Sequence, residues 1–225
     1  MNKLVDKEDY EEELVNILSY LKTQQPNLVK KLSAPFIPNI KETSRVAIIG
    51  QETRGWLSSL DSHLSINRSA KELIKLSAEK YESIQSLNKQ GRSKFGWLTI
   101  YTRKILGEQP LWLNFYGFDY KRGAIKHIKN KEIIDAIANY SLKKLVKEIK
   151  IANAKVLIFA GQYDGNFPAL KRELQIINTE VIESGKYPVE KWDDLFILRI
   201  PHPAARNIKN KNQIIKAKIN LAKSL

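Results

Sequence analysis

A chain of 225 residues, 43 % of them hydrophobic, is long enough to bury one sizeable α/β core. It holds no apolar run near the ~18 residues that a membrane span needs. It contains no cysteine, which excludes disulfides and thiolate metal sites. The N-terminal stretch MNKLVDKEDYEEEL lacks the apolar core of a signal peptide, so a cytoplasmic location is expected. Lys and Arg number 38 against 24 acids, a formal charge of +14. That excess favours a polyanionic partner: nucleic acid, an anionic membrane surface or a phosphorylated ligand.

In chain order, DYEEELVNILSYLKTQQ carries apolar residues at helical spacing and predicts an amphipathic helix over roughly 8–25, expected to cover the sheet. SAPFIPNI breaks it with two prolines. RVAIIG (45–50) then reads as a strand, followed by helical patterns in SAKELIKLSAEKYESIQSL and FGWLTIYTRKIL. A second strand, PLWLNFYGF (110–118), leads into the basic stretch YKRGAIKHIKNK. The long helical pattern NKEIIDAIANYSLKKLVKEIKIA precedes a third strand, KVLIFAG (155–161). After the helical FPALKRELQII comes a fourth, LFILRIP (195–201). The C-terminal NIKNKNQIIKAKINLAKSL holds five lysines and no acid.

Each strand is almost continuously apolar, as expected of central strands covered on both faces. Strands alternating with helices imply parallel pairing through right-handed crossovers. The expected fold is a three-layer α/β/α sandwich with a four-stranded, mostly parallel central sheet. Residues 1–43 form a helical segment packed on the same domain, and 44–225 form the α/β domain.

In such sheets ligands bind beyond the carboxyl ends of the strands. The polar residues placed there are Gln51 and Glu52, Asn114, Gln162, and His202. His202 stands between Pro201 and Pro203, which leaves its backbone little freedom. Buried without partners, these groups would each cost about 1–3 kcal/mol, which favours a shared crevice over a core. A satisfied hydrogen bond at a strand end is the plainer reading of each residue alone.

The same four strand ends resemble the motifs of the uracil-DNA glycosylase superfamily. AIIGQETRGW resembles its first motif, a strand ending in Gly-Gln-Asp-Pro-Tyr, and LWLNFYGFD its second, a strand ending in asparagine. VLIFAGQYDGNF resembles the strand before the last helix, and LRIPHPAARN the closing His-Pro-Ser-Pro. The match spans about Arg45 to Arg206, with the motifs in order and on the expected elements.

The resemblance implies an enzyme that flips a base out of DNA and cleaves its bond to deoxyribose, with no cofactor and no metal. His202 would donate a hydrogen bond to O2 of the departing base, a contribution of about 3 kcal/mol. Asn114 would read the base edge through one acceptor and two donors. Glu52 stands where the superfamily has a water-activating aspartate, one methylene shorter. Gln51 would contact the base through its backbone N–H, with Gly50 permitting close approach. Phe95 is the first choice for the aromatic that stacks on the base, ahead of Trp97 and Trp56.

Two departures stand out. Thr53 and Arg54 replace Pro-Tyr, whose tyrosine excludes thymine, and Arg54 can instead contact phosphate or stack. Ala204 and Ala205 replace Ser-Pro, leaving Arg206 as either a phosphate contact or a helix cap. Lys121, Arg122 and Lys126 either track phosphates or form a solvated face. Two other readings remain open: a DNA-binding module without catalysis, and a hydrolase of free nucleosides or nucleotides.

Overall fold

The computed structural model describes residues 8–52, 55–86, 93–161 and 165–225. They form two compact units. One is drawn from residues 42–50, 87–113 and 146–225, the other from 1–41, 51–86 and 114–145.

The first unit holds the sheet. Its strands are β1 (Val46–Gly50), β2 (Leu111–Asn114, whose last residue counts with the other unit), β3 (Val156–Ala160), β4 (Thr179–Glu183), β5 (Val189–Trp192) and β6 (Leu195–Ile200). The order across the sheet is β2-β1-β3-β6-β5-β4. β1, β3 and β6 pair in parallel, with Ile49 beside Phe159 and Ala160 beside Ile200. β5 and β4 are antiparallel additions. The sheet is thus mixed α/β and parallel in its core, but it has six strands where the apolar pattern predicts four. All five residues of β4 are exposed, and β5 is buried only at Val189 and Trp192. An edge hairpin of this kind carries no continuous apolar run to announce it.

Alternation along the strands sends Val46, Ile48, Val156, Ile158, Leu198 and Ile200 to one face. There they meet Leu98 of α5 (Lys94–Leu106) and Ile215 and Ile219 of α8 (Lys211–Ala222). Phe159 points to the other face and meets Phe167 of α7 (Phe167–Leu174) edge-on at 5.0 Å. Phe167 in turn packs against Trp192 at 5.4 Å. Trp192 is fully buried, and its indole N–H donates to Glu190 at 2.6 Å.

The turn from β5 into β6 depends on Asp193, which sits at φ 50°. Its carboxylate accepts the N–H groups of Ile177 and Asn178, each at 2.9 Å. These two bonds stabilise the ionised form and hold the carboxyl below its usual value. The folded value lies below the unfolded one. The contribution is therefore present above the ordinary aspartate value of about 3.9 and is lost as pH falls through the lowered value. At about pH 5, amide exchange at Ile177 and Asn178 is expected to be faster in Asp193→Asn than in the wild type, the difference closing in stronger acid. Equal exchange at the milder pH would show that the carboxylate anchors nothing.

The second unit is helical. It comprises α1 (Glu8–Gln24), α2 (Pro26–Val29), α3 (Leu60–Leu64), α4 (Ala70–Ser86) and the first part of α6 (Lys131–Ala152). α1 packs on α2 and α4. Beneath them Phe36 meets Trp56 at 4.9 Å and Tyr81 at 6.0 Å. The buried Ser77 hydroxyl donates to the Ile37 carbonyl at 2.9 Å, and accepts from Ile37 N–H at 2.7 Å and from the Trp56 indole at 2.8 Å. Trp56 is therefore core, which removes it from the base-stacking candidates. No helix among the described residues is long and apolar enough to cross a membrane.

Candidate functional site

In the unit that holds the sheet, the parallel registers bring the carboxyl ends of β1, β3 and β6 to one edge. Gly50 ends β1 there, and Gly161 donates its N–H to the Ile200 carbonyl at 3.1 Å. His202 follows two residues after Ile200. Pro201 and Pro203 are both buried while His202 is half-exposed, so the imidazole is the part of the tripeptide that faces outward. Its Nδ1 accepts the backbone N–H of Ala204 at 3.1 Å. An N–H donating to Nδ1 leaves the ring proton on Nε2, which makes that nitrogen the hydrogen-bond donor of the ring. The Ala205 N–H closes the turn onto the His202 carbonyl at 2.9 Å.

Three residues before His202, on β6, the Arg199 guanidinium lies over the Phe167 ring at 5.1 Å, and burial lowers its pKa. Phe95 lies in the first turn of α5 with its ring 5.4 Å from Trp112 of β2, packed against the core. Trp97 stacks on Tyr101 at 5.6 Å in the same helix. Arg206 is exposed and lies four residues ahead of Asn210, which holds the N-cap position of α8.

The other unit contains Gln51, Glu52 and Asn114. The Gln51 carbonyl accepts the Tyr116 N–H at 2.9 Å, which runs the segment after β1 beside the segment after β2. Glu52 is half-buried, and Asn114 is 1 % exposed. The apolar run continues to Phe118, but β2 stops at Asn114. Beyond it the chain is held by irregular bonds, including Gly117 N–H to the Ser141 hydroxyl at 2.9 Å. Arg54, with Thr53, lies outside the described residues, as does Gln162.

Lys121 and Arg122 stand in a turn the sequence does not announce. Tyr120 and Gly123 exchange both backbone hydrogen bonds, at 3.1 and 2.9 Å, so Lys121 and Arg122 are its two central residues. Both sit at positive φ, 51° and 58°. Such turns strongly prefer Asn-Gly or Gly-Gly at these positions. Left-handed backbone costs an ordinary L-residue roughly 1–2 kcal/mol. The sequence pattern also misses the neighbours of this turn: Lys30, Lys31 and the fully buried Asp119. The only signal available for them is a Lys-Lys pair after a proline-started helix.

Comparison of the chain with protein-family models and with curated proteins found no match to either.

Proposed function

We propose that the chain is a DNA glycosylase that hydrolyses the N-glycosidic bond of uracil or a related deaminated base flipped out of DNA. The observation that carries this reading is the state of His202: Nδ1 is engaged by Ala204 and the proton stands on Nε2 at the carboxyl edge of parallel strands. A donor on Nε2 is what a departing uracil anion needs at O2. As the C1′–N1 bond breaks, its electron pair leaves with the base, and the Nε2–H donates to the oxygen where that charge gathers. Glu52 offsets the cationic sugar and takes a proton from water as the hydroxyl joins C1′. The products are a free base and an abasic site. Asn114 reads the base edge.

The test uses a labelled single-stranded oligonucleotide with one uracil, then hot alkali to cut abasic sites. Wild-type protein is expected to give the cut strand. Asn114→Ala, which removes two base-edge hydrogen bonds of about 1–1.5 kcal/mol each, is expected to slow it about 100-fold. Binding without cleavage on uracil, hypoxanthine and xanthine alike would retire the enzyme reading and leave a nucleic-acid-binding module.

A further inference from the structure

Two cavities in the helical unit share a wall. One, of about 500 Å³, is lined by Lys30, Lys31, Asp119, Lys121 and Arg122 above the Ser58 hydroxyl. The other, about 650 Å³, shares Lys31 and Lys121 and continues to Lys129. Segment 31–33 runs antiparallel to 119–121: Leu32 bridges Tyr120, Lys121 N–H donates to the Lys31 carbonyl at 2.7 Å, and Ser33 N–H to the Asp119 carbonyl at 3.1 Å. Lys31 and Lys121 are therefore direct cross-strand partners, an arrangement of like charges that destabilises the pairing. Next to them Lys121 and Arg122 occupy the left-handed turn described above. The Arg122 side chain lies across Gly55, where an added Cβ would stand 3.3 Å from its Cγ.

Asp119 supplies a second and independent observation. It is fully buried; one carboxylate oxygen accepts the Gly55 N–H, and the other, itself shielded from bulk solvent, meets no hydrogen-bond partner among the described residues although the residue lines the cavity. A plain anion would be held by the cations and repelled by this oxygen. The ligand that satisfies both carries a phosphate and a hydrogen-bond donor, which is the chemistry of a nucleotide. Repulsion and backbone strain kept at a cavity point to a ligand that relieves the charge.

We propose that the first cavity holds one nucleotide of a single-stranded nucleic acid, its flanking phosphates on Lys31, Lys121 and Arg122 and a base amino group on the free oxygen of Asp119. This deepens the nucleic-acid part of the reading above and does not depend on base excision. A carboxylate accepts from the cytosine N4 amino group but faces an acceptor, O4, in thymine.

The experiment is fluorescence anisotropy with dC12, dT12 and free dCMP, none of which carries uracil, across a salt series. The expected result is about fivefold tighter binding of dC12 than dT12, with dCMP far weaker. Asp119→Asn, which keeps an oxygen for Gly55 but turns an amide donor into the cavity, is expected to abolish or reverse that preference. The double variant Lys31→Ala/Lys121→Ala is expected to reduce the slope of log K against log salt by about 1.4, two phosphate contacts at 0.7 each. Its Tm should not fall, because a like-charge pair has been removed; a purely structural role for the lysines would lower it. An unchanged slope, or a dC12 preference that survives Asp119→Asn, overturns the proposal. Equal affinity for dCMP and dC12 overturns the strand and leaves a free-nucleotide site. Loss of uracil excision with all these results intact would sink the glycosylase reading alone.

Discussion

His202→Asn is expected to slow excision about 100- to 1000-fold under single-turnover conditions, the usual consequence of removing one preorganised donor from a developing oxyanion. Asparagine is chosen because its side-chain oxygen can still accept the Ala204 N–H, as Asn does in many turns, while nothing remains at the position of Nε2. The change therefore separates the donor from the turn that presents it. Oligonucleotide affinity should stay within about threefold, since the interaction lost is one made chiefly in the transition state. Rates and affinities on the same uracil-containing strand would check this. A variant that excises at the wild-type rate would show that the proline-flanked histidine only ends a strand. One that loses binding and turnover together would show that His202 holds the segment 201–206 in shape, which melting temperatures would then confirm.

How far the chain could be read in advance depended on what each residue is buried against. β1 and β3 were legible because their residues are covered on both faces and are apolar throughout, and β6 departs from that pattern only at the half-buried Phe196 and Arg199. The hairpin of β4 and β5 was not, because Val181 and Ile182 are exposed at the edge and Glu190 and Lys191 stand side by side between Val189 and Trp192. Apolar character after Asn114 misled in the opposite direction: Phe115 and Phe118 are buried in an irregular segment beyond the end of β2. Its backbone is satisfied by the Gln51 carbonyl and the Ser141 hydroxyl, partners that no periodicity encodes.

The candidate site divides in the same way. His202 announces itself through two prolines, whose effect on backbone freedom is local and therefore visible in sequence. The group that sets its tautomer is a main-chain N–H, which every residue but proline possesses and which no side-chain pattern marks. Asp119 is a single acid in a basic stretch, and its role comes from contacts distant in sequence, the antiparallel segment 31–33 and the Gly55 N–H. Phe95 shows how an aromatic at helical spacing serves packing: its ring is spent against Trp112. A stacking function would have to share that ring with the core.

Glu52 gives the second large effect. Glu52→Gln keeps the shape and the hydrogen-bonding capacity of the side chain and removes its charge and basicity. If the carboxylate orients water and offsets the sugar cation, turnover should fall about 100- to 10,000-fold, the range of a general base, with binding to a uracil-containing strand unchanged or slightly tighter as one negative charge leaves. Glu52→Asp is the more informative partner. The superfamily motif resembled by AIIGQETRGW has aspartate at this position, and the half-burial of Glu52 leaves room for a shorter side chain to be tested without overpacking. A catalytic carboxylate predicts that Asp restores at least part of what Gln loses, because charge matters first and reach second. Equal loss in Gln and Asp would mean that the extra methylene sets the water, so that the longer acid is matched to this chain's own geometry. Full activity in Glu52→Gln would remove Glu52 from the chemistry and place the burden of the oxocarbenium charge on the departing base anion held by His202.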